Sequence, residues 1–343
     1  MRNKKVIAVV SSLLVFTVLC YVGSFFILRY SISLHGSFTL DEDRSVETFS
    51  LSYNLVRIND KLYYNNNNPN ILSPEGIYEI DSNGSRYIEK LGSTFLSRHY
   101  EFKGKMLHME TDNGMDERPL FNHNVFLYDP KTGEEESTVI DCDAEILDYR
   151  VYKDVLYLIS SNTLYSSTDC ENFKPVTSVK NMVSEYSDYK YGFGGNCFYY
   201  VNKDNTIKEF NLSNKKTSEY KIPKKLRADT FDFFVCGGSP IYINWTDEAF
   251  IYNVKNNFDL LCKTDSMATW CTAGNKLFFY KRDNIVSIDI KTKQEKEIIA
   301  NTESIRVRDL YVFGDKWLYY EDYDSSLNRV PQSGGDAERI FGQ

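Results

Sequence analysis

The chain has 343 residues, a formal net charge of −8 and only 40 Lys and Arg against 48 Asp and Glu. This balance argues against nucleic acid as a partner, because phosphate binding requires a clustered positive surface. Hydrophobic residues make up 42% of the chain, enough for a large core, and the 26 Tyr and 22 Phe favour half-buried β-strands.

The N-terminus carries an uncharged apolar segment from Val6 to Leu28. As an α-helix this segment would extend about 34 Å, more than the roughly 30 Å hydrocarbon core of a bilayer. Arg2, Lys4 and Lys5 precede it, and the positive-inside rule then predicts a cytoplasmic N-terminus. Cleavage of the segment as a signal peptide is the alternative.

The sequence therefore predicts a single-pass protein of the cell membrane with its C-terminal domain outside the cytoplasm. The predicted division of the chain is a cytoplasmic N-terminus over 1–5, a transmembrane helix over 6–28, a stalk over 29–49 and an extracytoplasmic domain over 50–343.

One pattern recurs through the predicted extracytoplasmic domain: a turn containing Gly, Asn or Asp, followed by an apolar and aromatic strand. Successive copies lie about 43 residues apart, show four short strands each and contain no amphipathic helix pattern, which is typical of propeller blades. The sequence predicts an all-β fold, a seven-bladed β-propeller of four-stranded blades; an irregular pair of β-sandwiches is the alternative. One apolar residue anchors each copy: Leu62, Met106, Leu156, Phe198, Ile241, Leu277 and Leu318.

Two copies resemble known blades. In the last copy, Arg329-Val330-Pro331 is followed by the turn Gly334-Gly335, which resembles the low-density-lipoprotein-receptor-type and TolB-like blades of bacterial membrane-anchored propeller repeat proteins. In the third copy, the run YSSTDCENF over 165–173 resembles a degenerate Asp-box hairpin of sialidase-type and sortilin-type propellers. The resemblance implies a structural turn in which Ser167 and Asp169 bond the hairpin backbone, and no catalytic site.

Six cysteines follow the apolar segment, with irregular spacing and no C-x-x-C pair. Export would permit disulfides, whereas a thiol within an apolar strand behaves as a small hydrophobic residue. Both alternatives stay open for the six: Cys142, Cys170, Cys197, Cys236, Cys262 and Cys271.

Three histidines, His99, His108 and His123, lie within 25 residues of each other among several carboxylates. Their spacing matches no zinc signature, and the run from Asp112 to Glu117 lacks the ligand order of an EF-hand. We interpret the histidines as structural and predict neither a metal nor another cofactor.

The connection that follows the anchor strand is longer in the first two copies than in the others. Long connections on a rigid scaffold commonly carry binding residues, and equivalent loops of neighbouring blades emerge on one face. Tolerated insertion without a role is the alternative. We predict a binding rim formed by polar, charged and aromatic residues of these two loops: Asn66, Asn68, Asn70, Asp112, Asp116, Glu117, Arg118, Phe121 and His123.

No spacing of nucleophile, base or metal ligands identifies a catalytic site. The leading hypothesis is a non-catalytic binding or sensing module at the cell envelope, with a protein, peptide or glycan as its partner. The alternative is an envelope hydrolase, glycosidase-like or peptidase-like, on a propeller scaffold.

Overall fold

The computed structural model describes most of the repeat domain and a few residues before it. The described residues are 40, 45–50, 54–66, 76–82, 84–88, 98–112, 122–140, 146–185, 188–228, 230–264, 269–281, 283–300, 307–323 and 326–342. The transmembrane helix predicted over 6–28 lies outside them. None of the described residues belongs to a helix with the length and hydropathy needed to cross a bilayer.

The first strand of the described chain, β1 (Thr48–Ser50), is three residues long, and groups of four strands that we call blades follow it. Blade 1 contains β2 (Leu55–Ile58), β3 (Lys61–Asn66), β4 (Gly76–Asp81) and β5 (Gly84–Tyr87). Blade 2 contains β6 (Tyr100–Phe102), β7 (Lys105–Asp112), β8 (Asn122–Asp129) and β9 (Glu134–Ile140). Blade 3 contains β10 (Ile146–Tyr152), β11 (Val155–Ser160), β12 (Thr163–Ser167) and β13 (Lys174–Ser178).

A two-stranded ribbon, β14 (Ser184–Glu185) with β15 (Asp188–Tyr189), precedes blade 4, and a 3-10 helix, Lys224–Leu226, follows it. Blade 4 contains β16 (Tyr191–Gly194), β17 (Cys197–Asn202), β18 (Thr206–Asn211) and β19 (Thr217–Lys221). Blade 5 contains β20 (Phe231–Cys236), β21 (Ser239–Trp245), β22 (Ala249–Asn253) and β23 (Asp259–Thr264). Blade 6 contains β24 (Trp270–Ala273), β25 (Lys276–Lys281), β26 (Asn284–Asp289) and β27 (Glu295–Ile299). Blade 7 contains β28 (Val307–Val312), β29 (Trp317–Asp322), β30 (Leu327–Pro331) and β31 (Glu338–Phe341).

Each blade is an antiparallel meander whose strands pair in chain order. The first and second strands are joined by tight turns. In blade 3, for example, Lys153 and Asp154 both have positive φ, 50° and 56°, as the two central positions of a type I′ turn require. The first strands surround a central channel. We call the end of the channel that carries the turns between first and second strands the inner-turn face.

The core is divided among seven apolar clusters, one at each junction between neighbouring blades. A four-stranded sheet exposes two faces, and stacking it between two neighbours buries both. All seven anchors lie in second strands with at most 1% of their surface exposed. The predicted all-β, seven-bladed propeller of four-stranded blades is therefore confirmed.

The ring closes where blade 7 meets blade 1. Tyr64 of β3 donates a hydrogen bond to the fully buried carboxylate of Glu321 in β29, which also pairs with Arg308. Tyr311 donates to the second carboxylate oxygen at 3.3 Å. Burial raises the pKa of Glu321 above its usual range, although Arg308 and Tyr64 act in the opposite direction. One buried acid thus joins the first and last blades.

Leu277→Ala tests the packing of one junction. Leu277 is fully buried in the cluster between blades 5 and 6, so the lost contacts and the cavity should lower the free energy of unfolding by about 2–5 kcal/mol. Leu260→Ala is the matched control, since Leu260 is 43% exposed and should change stability by less than about 1 kcal/mol. Denaturant unfolding of both variants measures the difference; equal losses would contradict the assigned core.

Glu321→Ala tests the closure of the ring. The substitution leaves Arg308, about 21% exposed, without its buried partner, and breaking such a pair costs about 3–5 kcal/mol. The control is Glu295→Ala, which removes an exposed ion pair with Lys281 in blade 6 and should cost less than about 1 kcal/mol. Thermal unfolding of the two variants measures the difference in stability. A loss for Glu321→Ala no larger than that for Glu295→Ala would mean that this cluster does not hold the ring closed.

Candidate functional site: the central channel

A cavity of about 630 Å³ occupies the channel near its inner-turn face. Residues of the first strands of all seven blades line it, together with a stretch of chain that belongs to none of the blades. That stretch is Ser45–Ser50, which we call the channel segment. Turn residues such as Lys103 and Lys153 also line the cavity, which places it at the inner-turn end of the channel.

The channel segment is held by main-chain pairing. Its strand β1 adds to the inner edge of blade 6, antiparallel to β24, with Thr48 opposite Ala273 and Ser50 opposite Cys271. One residue earlier, the carbonyl of Glu47 accepts a hydrogen bond from the N–H of Gly274 at 2.9 Å. The predicted bounds of the stalk stay a prediction, but Thr48 and Phe49, which were assigned to it, form part of β1 inside the ring.

The carboxylate of Glu47 is bound by two blades. It accepts hydrogen bonds from the Tyr152 hydroxyl at 2.9 Å and from the Gly195 N–H at 2.9 Å, and it pairs with Lys153 Nζ at 3.0 Å. Burial alone would raise the pKa of Glu47, but the bonds from Gly195, Lys153 and Tyr152 outweigh it and hold the pKa below its usual value. The turns of blades 3 and 4 therefore form a receptor for a carboxylate.

The receptor is fixed in place by its own contacts. The Tyr152 hydroxyl accepts the N–H of Asn196 at 3.1 Å, which orients the phenol between blades 3 and 4. Gly195 has φ of 56°, and a Cβ there would lie only 3.1 Å from the Cα of Gly238 in blade 5. A side chain at this position would therefore force the turns apart.

An aromatic side chain follows two residues after Glu47. The ring of Phe49 stacks on Trp270 at 5.1 Å between centroids, and the guanidinium of Arg150 lies 3.7 Å from its centroid. Trp270 in turn stacks on Phe234 at 3.8 Å. Phe49 thus lies between an indole and a cation, an arrangement that favours aromatic rings. Beyond it, Ser50 Oγ accepts the N–H of Val312 at 3.3 Å.

Farther along the channel, charged groups pair across neighbouring blades. Arg98 binds Asp148 at 2.6 and 2.8 Å, and the Tyr191 hydroxyl donates to the same carboxylate at 2.9 Å. Lys190 pairs with Asp232 at 3.0 Å. Each of these acids is thus paired with a base of an adjacent blade, which suits structural roles.

The described cysteines are free thiols. Burial raises the pKa of Cys170 and of Cys262 to about 12, so neither is a thiolate at neutral pH. Of the two alternatives left open by the sequence, the thiol form holds for the five described cysteines; Cys142 lies outside the described residues.

The three histidines are buried, with 4% or less of each exposed. Burial lowers the pKa of His99 to about 3 and that of His108 to about 4, so both are neutral at physiological pH. The ring of His108 stacks on Phe126 at 4.8 Å. Within the part of the chain that the structure describes, no group of His, Cys, Asp and Glu is arranged to hold a metal ion.

The predicted binding rim is described only at its edges. Its two loops connect the second and third strands of neighbouring blades, since β3 pairs with β4 and β7 with β8. Asn66 and His123 are buried, and His123 Nε2 accepts the N–H of Ile146 at 3.3 Å. Asp112 ends β7. The rim stays a prediction, because its other members lie outside the described residues: Asn68, Asn70, Asp116, Glu117, Arg118 and Phe121.

The predicted hairpin turn of blade 3 joins β12 to β13. Ser167 Oγ donates to Asp169 Oδ1 at 2.7 Å, and the same carboxylate accepts the N–H groups of Glu171 at 3.0 Å and of Asn172 at 2.8 Å. These bonds close the turn, which lies in the outer part of the blade and does not line the channel cavity.

Comparison with known proteins finds likeness in structure alone. No protein-family model matches the sequence, and no curated protein matches it. The fold is similar to that of PorZ, an essential bacterial surface component of the type-IX secretion system of Porphyromonas gingivalis, with 10% identity and a TM-score of 0.51; the match covers 91% of this chain and 39% of PorZ. This chain thus spans well under half the length of PorZ.

The fold is also similar to that of YCF48 bound to D1 peptide, with 10% identity and a TM-score of 0.51, over 89% of this chain and 100% of YCF48. BamB from Moraxella catarrhalis is 9% identical over 87% of this chain and 91% of BamB, with a TM-score of 0.44. At identities this low, the likeness to PorZ and to YCF48 shows a shared fold alone, and a propeller fold hosts many functions.

Glu47→Gln tests the contacts of the channel segment. Because the pKa of Glu47 is depressed in the folded chain, the stability that its charge contributes is present above its ordinary pKa of 4.5 and disappears as pH falls through the folded value. The variant should therefore be less stable than the parent by roughly 1 kcal/mol at pH 7, a figure reduced for partial exposure, and the difference should be smaller at pH 3.

Thermal unfolding at the two pH values measures this difference. The matched control is Glu219→Gln, at an exposed carboxylate that pairs with Lys208 on the outer strands of blade 4. It should have little effect at either pH. A Glu47→Gln variant as stable as the parent at pH 7 would mean that the carboxylate receptor contributes nothing.

Proposed function

We propose that the chain is a non-catalytic binding module of the cell envelope whose partner is a protein that offers an extended peptide. One observation carries the proposal: the channel binds an extended segment through main-chain pairing to β24, a carboxylate receptor and an aromatic contact. Pairing to a sheet edge combined with side-chain recognition is a common mode of peptide binding.

The likeness to YCF48 supports a peptide as the class of partner, since the solved structure of YCF48 is bound to D1 peptide. The likeness to PorZ, a bacterial surface component, supports a location at the envelope. The polar groups of the channel support recognition over catalysis, because Asp148 and Asp232 are each engaged by a base of a neighbouring blade.

Display at the envelope is proposed on the pattern of the N-terminal sequence. An uncharged segment over 6–28 preceded by Arg2, Lys4 and Lys5 favours a single transmembrane helix with the propeller on the extracytoplasmic side.

Protease accessibility tests this topology. The chain carries one epitope tag at each end, and protease is added to intact cells or, for a chain in a periplasm, to spheroplasts. We expect the C-terminal tag to be lost and the N-terminal tag to be protected until the membrane is permeabilised. Protection of both tags would place the propeller in the cytoplasm and contradict the proposal.

A peptide display library tests binding, and a panel of glycosides and peptides tests the hydrolase alternative. We expect the full chain in detergent to enrich peptides and to turn over no member of the panel. The heat-unfolded chain is the control. Turnover that disappears in Asp148→Asn or Asp232→Asn would favour the hydrolase, and failure to enrich any peptide would contradict the peptide-binding function.

A further inference from the structure

The channel segment has the characteristics of a bound ligand. Every blade is complete with four strands of its own, and β1 is a fifth strand added only to blade 6. The segment is only partly buried: Thr48 is exposed, and Phe49 and Ser50 are half-buried. Its removal would leave all seven apolar junctions between the blades in place, because Phe49 packs at the periphery of one cluster and Val46 at that of another.

The groups that bind the channel segment belong to the blades and contact two of its side chains, those of Glu47 and Phe49. Residues two apart on a strand point to the same side, so Glu47 and Phe49 can both contact blade 3. Blades 3 and 4 bind the carboxylate through Tyr152, Lys153 and the Gly195 N–H. Arg150 of blade 3 and Trp270 of blade 6 bind the ring.

The three binding elements together define a chemistry. The Gly274 N–H donates to the main-chain carbonyl of Glu47, and the turns of blades 3 and 4 bind the carboxylate of the same residue. The indole and the guanidinium bind the aromatic ring of Phe49, two residues later. The spacing excludes an isolated acid or an isolated ring as the full ligand, since each alone would use only one of the three binding elements.

We propose that the inner-turn end of the channel is a recognition site for an extended protein segment in which an acidic residue is followed, two positions later, by an aromatic residue, and that the chain's own Glu47-Thr48-Phe49 occupies this site as an internal competitor. The inference rests on the proposed peptide-binding function and names the chemistry of its partner.

An internal competitor has a large advantage over a free peptide. The channel segment is joined to blade 1 by the few residues between Ser50 and Leu55, and short connections give effective concentrations of the order of millimolar. A partner segment therefore binds well only when it is also held nearby, or when the internal contacts are weakened. The proposal can therefore be tested by weakening the internal segment and measuring the binding of a free peptide.

The probe is a fluorescent peptide with the sequence of residues 45–51, SVETFSL, and the receptor is the full chain in detergent. Glu47→Gln combined with Phe49→Ala weakens the internal occupant and leaves the receptor groups intact. We expect the peptide to bind this double variant at least tenfold more tightly than the parent, as measured by fluorescence anisotropy. A peptide in which Gln and Ala replace the Glu and the Phe should lose at least tenfold in affinity.

Lys153→Met, added to the double variant, tests the receptor itself. It removes the cation that pairs with the carboxylate and should weaken the peptide at least tenfold. Its matched control is Lys131→Met, at an exposed turn between β8 and β9 in the outer part of blade 2, which should leave peptide affinity unchanged. Equal peptide affinity for the parent and the double variant, or affinity that ignores Lys153, would overturn the proposal.

A second measurement covers the case in which the double variant unfolds. In the parent chain, a large excess of the peptide should increase hydrogen exchange in residues 45–50 without increasing it in β24 or β25, because the segment is displaced while blade 6 stays folded. No change in residues 45–50 at saturating peptide would overturn the proposal. If library peptides bind the chain while SVETFSL does not, this inference fails and the proposed binding function stands.

Discussion

Every other feature of the structure depends on the burial of each sheet between two neighbours. The second strands show this best, since they carry runs such as Leu62-Tyr63-Tyr64 and Leu318-Tyr319-Tyr320 in which every side chain is buried. Successive residues of a strand face opposite sides of the sheet, so an uninterrupted apolar run requires packing partners on both sides. A closed ring satisfies this requirement for all seven blades, whereas an open stack would leave two faces exposed.

The ring is closed at the junction of blade 7 with blade 1. In the described chain, the four strands of blade 7 all lie between Val307 and Phe341, so the N-terminal part of the chain contributes no strand to that blade. Closure therefore rests on side chains: Tyr78 and Phe341 pack at 4.8 Å, and the buried carboxylate of Glu321 binds Tyr64 across the junction. Desolvating a carboxylate is unfavourable, and bonds from Arg308, Tyr311 and Tyr64 offset part of this penalty; of these three, only the bond from Tyr64 requires the closed ring.

The blades could be predicted from the sequence because their signals are local. A turn, an apolar strand and a second turn recur within about 43 residues, and the anchors marked by that pattern are all buried. The channel segment could not be predicted, because its strand is three residues long and its partner, Ala273, is more than two hundred residues away. Two residues of the predicted rim, Asn66 and His123, are polar but buried, since each lies within a strand and not in the loop beside it.

The direction of β1 relates the channel to the rest of the chain. Each first strand ends at the inner-turn face, and β1 runs antiparallel to β24, so the chain passes into the channel from that face. Leu40 lies on the same side, where its carbonyl accepts a hydrogen bond from Arg57, near the end of β2, at 2.6 Å. If residues 6–28 form the proposed anchor, the part of the chain that follows them in sequence lies at the inner-turn face, so an orientation with that face toward the bilayer would need the shortest connection.

This orientation separates the two candidate binding surfaces. The carboxylate receptor at Lys153 and Tyr152 would face the narrow space beside the membrane, whereas the predicted rim would face outward. In that orientation, a partner for the channel would be tethered to the same membrane or would extend a segment to its surface. Tethering would raise the partner's effective concentration to the range in which it can compete with Glu47 and Phe49. The same geometry that makes the internal segment a strong competitor for free peptides would thus favour a membrane-bound partner over a soluble one.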